Sequence, residues 1–194
     1  PVTVLKKNWF LENLTSKNNQ WYIITKRIID ILFSIILSLI SLIFLPIIFL
    51  AIKLESKGPL IYKQKRMSIN GKIYTIYKLR SMIKNAEKGK AVWAKKNDNR
   101  ITKVGKFIRN TRIDEIPQLW NILKGDMSFV GPRPERPKLI KKLKNEIPFY
   151  NERHLVKSGL TGWAQINFPY GSSIEDSKEK LQYDLFYIKN QSLA

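Results

Sequence analysis

Hydrophobic and polar positions divide the chain into one long apolar run and a series of short periodic elements. From Ile31 to Ile52 every residue is apolar except Ser34, Ser38 and Ser41. A run this long passes the roughly 18 residues expected of a membrane segment and exceeds what a soluble core helix needs. It is not a signal peptide, because about thirty residues precede it and no small-residue cleavage site follows. Lys26 and Arg27 stand before the run, Lys53 and Lys57 after it. A spanning helix usually carries its positive bias on one side, so basic residues at both ends give no preferred orientation. A re-entrant segment, entering and leaving by the same face, accounts for both flanks. Pro46 marks the expected bend, since proline removes a helix hydrogen bond and clashes with the preceding turn. Ser38 and Ser41 lie where they can satisfy freed carbonyls. Asp30 falls within one turn of Lys26 and Arg27, close enough for pairing at the interface. A spanning helix and a buried soluble helix are the alternatives.

The remaining pattern is finer. Residues 1–25 mix charges and aromatics without a clean period and read as an N-terminal interfacial segment, with Trp21 and Tyr22 where interfacial aromatics commonly sit. After residues 26–57, the membrane segment, Gly58-Pro59 opens a domain over 58–194. Leu60–Met67 and Lys72–Lys78 predict two strands joined at Asn70-Gly71, a strong hairpin signal. The stretch 82–99 is polar, with a possible helix from Ala86 to Ala94. Helical spacing follows at Ile101, Val104 and Ile108, then at Ile116, Leu119, Trp120 and Leu123, closed by Lys124-Gly125. Pro137–Ile147 and Ile174–Ile188 predict two more helices. The expected fold is α+β and mostly helical: a re-entrant membrane helix–break–helix with a small domain containing a β-hairpin.

Composition narrows the chemistry. The 194 residues include 35 Lys plus Arg, 15 Asp plus Glu, one His and no Cys, a formal net charge of +20. Without Cys there is no disulfide framework and no thiolate-ligated metal site. With His154 alone, sites that need two imidazoles are excluded. The charge calls for an anionic partner: nucleic acid, an anionic membrane surface or a phosphorylated substrate. Residues 1–57 hold seven basic and three acidic residues, leaving 28 basic and 12 acidic to the domain. A basic domain beside a membrane segment would press against anionic lipid, and the apolar run makes this a better reading than nucleic-acid binding.

The carboxylates are therefore the candidate chemistry. Only Asp114-Glu115 and Glu175-Asp176 place two acids side by side. The second pair, beside Ser172, Ser173 and Ser177 at a helix start, reads as capping. The first could also cap, through a Thr111-x-x-Asp114 pattern. Its company favours chemistry: Arg109, Arg112, Lys124, Asp126, Arg133, Glu135 and Arg136 all lie within 28 residues. A carboxylate ringed by guanidinium groups is expected to have a lowered pKa and stay ionised. It can bind Mg²⁺ through oxygen or attack phosphorus, while arginine forks match phosphate oxygens. Lys78 and Arg80, sharing a strand face by alternation, form another phosphate-shaped pair. No P-loop or dinucleotide fingerprint is present.

Several motifs in unbroken order carry a resemblance. They are Lys26-Arg27-Ile-Ile-Asp30, Ser56-Lys57-Gly58-Pro59, Ile76-Tyr77-Lys78-Leu79-Arg80-Ser81-Met82, Asp114-Glu115-Ile-Pro117-Gln118-Leu119-Trp120-Asn121, Lys124-Gly125-Asp126-Met127-Ser128, Val130-Gly131-Pro132-Arg133-Pro134-Glu135, Gly159-Leu-Thr-Gly162-Trp163-Ala164-Gln165 and Tyr183-Asp184-Leu185-Phe186-Tyr187. Over about residues 26–190 the chain resembles the bacterial sugar transferases, or monotopic phosphoglycosyl transferases, and most of all the catalytic end of those that begin exopolysaccharide or capsule synthesis. The resemblance implies transfer of a sugar-1-phosphate from a UDP-sugar to undecaprenyl phosphate, with release of UMP. It implies Mg²⁺ as cofactor and an active site on the cytoplasmic face of the bacterial inner membrane. By the same resemblance Asp114 and Glu115 form the catalytic dyad and the metal-binding pair. Asp114 is then the nucleophile that becomes an aspartyl phosphosugar, and Glu115 its metal partner or proton acceptor. Lys78, Arg80, Arg112, Arg133 and Lys157 are expected to hold the diphosphate and nucleotide.

Three departures qualify the resemblance. Relatives break the membrane helix at Ser-Pro, whereas Pro46 here follows Leu45, about a turn later. They carry proline before the glycine at position 159, where this chain has Ser158. They continue past the position of Ser192-Leu193-Ala194, so the expectation is a truncated C-terminus. A membrane-attached basic binding or scaffolding module without catalysis is the alternative function.

Overall fold

A computed structural model describes residues 20–84, 86, 98–169, 171 and 173–192. Residues 1–19 of the expected interfacial segment, and nearly all of the possible helix 86–94, lie outside the described residues.

The apolar run forms α1, Gln20–Glu55. At 1.5 Å per residue its 36 residues have a contour length of about 54 Å, more than a hydrocarbon core of about 30 Å requires. The helix begins at Gln20 and takes in Trp21 and Tyr22. It runs on through Pro46, so the expected division into two helices there does not occur. The lost hydrogen bond is tolerated because residues on both sides of it are packed. Leu45, Ile48 and Phe49 lie against a cluster of Ile52, Leu79 and Ile108. Asp30, Ser34, Ser41 and Ile52 mark one buried stripe at helical spacing. The other faces expose Leu32, Phe33, Leu39, Leu42, Ile43, Ile47 and Leu50. So much contiguous bare apolar surface is of the kind that a membrane or a partner protein covers. α1 is also the helix, among the described residues, long and apolar enough to cross one.

The expected hairpin is present. β1, Ile61–Met67, pairs antiparallel with β2, Ile73–Leu79, from Ile61 opposite Leu79 to Met67 opposite Ile73. Its turn puts Asn70 at φ 53° and Gly71 at φ 73°, the left-handed pair that Asn-Gly accepts most readily. Two short helices follow, α2 Lys103–Asn110 and α3 Gln118–Lys124, with a 3₁₀ turn at Ile113–Glu115 between them. β3, Ser128–Val130, pairs in parallel with β4, Gly159–Thr161. Between them lie α4, Pro137–Glu146, and a 3₁₀ turn at Tyr150–His154. α5, Trp163–Asn167, and α6, Ile174–Lys189, complete the order. Ser173 and Asp176 cap α6 reciprocally, so the second acidic pair serves a helix start as expected.

Three apolar clusters hold these elements. α3 packs on β2 through Tyr74, Ile76, Leu119, Ile122 and Met127. α4 and α6 share Ile140, Leu143, Leu181, Leu185 and Ile188. The C-terminal part of α1 joins α2 and β2 through Ile52, Ile108 and Leu79.

Both ends of the apolar run are tied to this same domain by polar groups. At the N-terminal end, Arg27 donates to the carbonyls of Ile122 (2.5 Å) and Leu123 (2.6 Å), the last turn of α3. Asp30 lies 3.9 Å from Lys26, as its position suggested, and accepts from the Phe129 amide at 3.1 Å. Lys26 also bonds Ser128. At the C-terminal end, Glu55 accepts from the first amides of α2, Lys103 at 2.6 Å and Val104 at 2.9 Å.

Candidate active site

The dyad sits in a bend that its neighbours enforce. Thr111 ends α2 by donating back to Phe107 and Ile108 carbonyls, so it does not cap the next turn and the capping alternative is not realised. Arg112 then adopts φ 61°, ψ 10°, left-handed for a residue with a Cβ. Strain of this kind is held in place only where surrounding structure fixes it. It reverses the chain so that Asp114 and Glu115 turn inward, 8% and 7% exposed.

β2 meets this bend because α3 is locked onto its open edge. Asn121, fully buried, donates to the Thr75 carbonyl at 2.8 Å and accepts from the Tyr77 amide at 3.3 Å. One amide side chain thus satisfies two backbone groups that a further strand would otherwise pair. The next residue of β2, Lys78, is thereby brought to Glu115, with Nζ 2.6 Å from Oε1. Arg133, in the rigid loop after β3, reaches the same oxygen at 3.4 Å.

The two acids consequently differ in charge state. Burial pulls Glu115 upward, but Lys78 and Arg133 override it and hold the carboxyl below the usual range. Asp114 takes no direct hydrogen bond or ion pair among the described residues. Burial pushes its pKa up, Lys78 opposes this, and the Glu115 charge adds to the rise. The expectation of a lowered pKa therefore holds for Glu115 and fails for Asp114, because the cations are spent on one acid and burial governs the other. Neighbouring acids driven apart in this way are suited to different tasks.

Asp114 faces a cleft of about 1410 Å³. Lys78, Arg80, Arg109, Arg112 and Arg133 line it with Asp114. Arg66, Arg136 and Arg153 line it too, and sequence reasoning missed the first and last of these as site residues. Arg66 was legible only through β1 alternation; Arg153 had no motif to announce it. Arg153 is buried, paired with Asp184 at 2.7 Å, and donates to the Arg133 carbonyl at 2.9 Å, so it steadies the loop carrying Arg133.

Two expected phosphate ligands sit elsewhere than expected. Arg80 borders the cleft, but its guanidinium donates to carbonyls ending α1, Ser56 at 2.5 Å and Ile52 at 3.3 Å. Its Nε and Nη1 are buried without partners. Lys157 lies outside the cleft lining, near Arg27, Asp30 and Asp126. The backbone beside it is tied to the hairpin. The Ser158 amide, which proline would lack, donates to Ser68 at 3.2 Å, and the Ser158 hydroxyl bonds Tyr74 at 2.9 Å.

Mg²⁺ is the implied cofactor. Of the two acids that would hold it, Asp114 lines the cleft and Glu115 is already paired with Lys78 and Arg133, and no cluster of three possible ligands occurs among the described residues. Mg²⁺ commonly binds one or two carboxylates and completes its shell with substrate phosphate and water.

The arrangement is thus a bent acidic dyad with a lysine on the neighbouring strand and an arginine-lined cleft, in a chain that also carries one long apolar helix. The chain matches the family model for bacterial sugar transferases over residues 21–194 and belongs to that family. It is 46% identical over 173 residues to a UDP-N-acetylgalactosamine-undecaprenyl-phosphate N-acetylgalactosaminephosphotransferase of Aeromonas hydrophila, covering 89% of this chain and 41% of that protein. It is 51% identical over 138 residues to a putative undecaprenyl-phosphate N-acetylgalactosaminyl 1-phosphate transferase of Bacillus subtilis, covering 71% of this chain and 77% of that protein. A UDP-glucose:undecaprenyl-phosphate glucose-1-phosphate transferase of Klebsiella pneumoniae is 45% identical over 171 residues, 87% of this chain and 37% of its own length. The chain thus spans well under half the length of the first and third of these relatives.

Proposed function

We propose that the protein is a phosphoglycosyl transferase that moves a sugar-1-phosphate from a UDP-sugar to undecaprenyl phosphate. The observation that carries this reading is the contrast within the dyad. Asp114 presents an unpartnered carboxylate to a cationic cleft, while Glu115 beside it is fixed by Lys78 and Arg133. The names of the relatives supply the acceptor class and two candidate donor sugars.

In the first displacement an Asp114 oxygen attacks the sugar-bearing phosphorus. The bond from that phosphorus to the bridging oxygen breaks, and UMP leaves with the electron pair. The product on the enzyme is an aspartyl phosphosugar. In the second, an oxygen of undecaprenyl phosphate attacks the same phosphorus, the bond to Asp114 breaks, and the carboxylate is regenerated. Two displacements suit a site whose nucleophile has no histidine beside it. Arg112 and the exposed part of Arg133 hold the diphosphate and offset charge gathering on its oxygens, and Lys78, paired with Glu115, adds its charge from the cleft wall. Asp114 and Glu115 would be the residues to hold Mg²⁺, and the ion would supply Lewis-acid withdrawal of charge from the diphosphate.

α1 is read as re-entrant, with both flanks and the cleft on the cytoplasmic face of the inner membrane. This is supported by the polar ties that hold residues 27–30 and residue 55 to one domain. The step would begin exopolysaccharide or capsule synthesis.

The test is radiolabelled UDP-sugar with undecaprenyl phosphate and Mg²⁺, expected to yield labelled lipid diphosphate and UMP. Asp114→Asn should abolish product, a loss of at least about 1000-fold, and should prevent trapping of a labelled protein. Retained activity in that variant would remove Asp114 as the nucleophile.

A further inference from the structure

Basic side chains gather at the opposite end of α3 from the dyad, where the first turns of α1 cross it. Two carboxylates stand among them, and both are already engaged. Asp30 is held by Lys26 and the Phe129 amide. Asp126 is held by Lys124 at 3.2 Å and by Asn121 at 3.4 Å. Arg27 is committed to the neutral carbonyls of α3, which leave its charge uncompensated. The side chains of Lys157 and Lys72 have no hydrogen-bond or ion-pair partner among the described residues.

Two of these cations face each other across an open corner. Gly125 ends α3 at φ 83°, a left-handed position that favours glycine. A methyl group added there would lie 3.5 Å from Arg27 Nη2 and 3.6 Å from Lys157 Nζ. The absent side chain therefore leaves a small cradle walled by like charges. Burial and the Arg27 charge depress the Lys157 pKa, Asp30 and Asp126 oppose this, and Lys72 adds a smaller repulsion. Asp30 and Asp126 offset part of this repulsion, but neither makes an ion pair with Lys157, and an anion seated between Arg27 and Lys157 would relieve the rest.

The depth of the cradle indicates which anion. Arg27 is followed at once by the bare apolar residues Ile28, Ile29, Leu32 and Phe33, and preceded by Trp21, 78% exposed. Cations flanked by an apolar helix face and an interfacial tryptophan sit at headgroup level. A free nucleotide in the cleft would not meet them, since neither Arg27 nor Lys157 lines it.

We propose that Arg27 and Lys157 at Gly125, with Lys72 adding charge from further off, form a second anion site, separate from the dyad, which holds the phosphate of a membrane lipid beside α1. The shared chemistry is a phosphate oxygen group on an apolar tail. It belongs either to an anionic phospholipid or to a polyprenyl phosphate waiting outside the cleft. The inference does not depend on Asp114 being the nucleophile.

Native mass spectrometry of the full chain in mild detergent tests it. Phosphatidylglycerol, a short polyprenyl phosphate and inorganic phosphate are offered in separate arms, and UDP binding is measured alongside by calorimetry. Wild type should retain one or both lipids. Lys157→Gln should lower retention at least fivefold and Lys72→Gln by less, Lys157→Arg should keep it, and UDP binding should be unchanged. Whichever lipid is retained identifies the source of the phosphate. Equal retention by wild type and Lys157→Gln would overturn the proposal, as would binding of inorganic phosphate alone. So would a loss of UDP binding in Lys157→Gln that matched its loss of lipid, since that would return Lys157 to the donor site.

Discussion

Lys78 Nζ lies 2.6 Å from Glu115 Oε1, an ion pair between residues 37 positions apart that leaves the adjoining Asp114 without a direct partner. Glu115 is thereby fixed as a buried anion, and Asp114 is left as the acid whose protonation governs the cleft.

The pH dependence of transfer should show this. Asp114 must be ionised to attack, and burial raises its pKa. Activity should therefore fall, as pH decreases, at a higher pH than an ordinary aspartate near 3.8 would give. Lys78 opposes that rise, so Lys78→Met should move the acid limb of the pH–rate profile further upward and lower turnover. An unmoved limb would argue that Lys78 is not coupled to Asp114.

The Arg153–Asp184 pair predicts a stability effect. Both side chains are buried, at 7% and 3% exposure, and the guanidinium also bonds Tyr150 at 2.7 Å. Removing one charge strands the other, at a cost of about 3–5 kcal/mol. Asp184→Asn and Arg153→Met should each lower the denaturation midpoint by that order. The double replacement Arg153→Met with Asp184→Leu should recover a large part of it. Additive losses in the double variant would show that the pair is not coupled.

His154 makes folding sensitive to mild acid. Burial and the neighbouring Arg153 charge lower its pKa from 6.5 to about 4. Between those values the unfolded chain binds a proton that the folded chain refuses, so stability falls as pH drops through the window and is fully present above it. Urea midpoints measured from pH 7 to 4 should decline more steeply in wild type than in His154→Gln. Parallel slopes would mean that His154 is accessible and titrates normally.

Topology can be read chemically, because the sequence has no cysteine. Single cysteines at Ser16 and Lys57 should react with a membrane-impermeant maleimide from the same side of inverted vesicles. Labelling from opposite sides would mean that α1 spans the bilayer.

Much of this was legible along the chain because it depends on local order. The uncharged run announced α1, Asn70-Gly71 announced the hairpin, and Gly125 closed α3, each through backbone preferences or periodicity acting over a few residues. The adjacency of Asp114 and Glu115, and the density of arginine around them, marked the site. The continuity of α1 through Pro46 was not legible, because packing of Leu45, Ile48 and Phe49 on the domain outweighs one lost hydrogen bond. The parallel pairing of β3 with β4 was equally hidden, since each strand is three residues long and its partner stands some thirty positions away.

The same division runs through the function. The sequence by itself narrowed the candidate chemistry to carboxylates among basic residues that follow a long apolar run, because it contains no thiol and a single imidazole. Only the tertiary structure decided which cation serves which anion. Lys78 and Arg133 go to Glu115, Arg80 caps α1, and Lys157 turns away to stand with Arg27. Charge pairing falls off within a few ångströms, so these assignments depend on how α3 seats against β2 and α1, which the order of residues along the chain does not state.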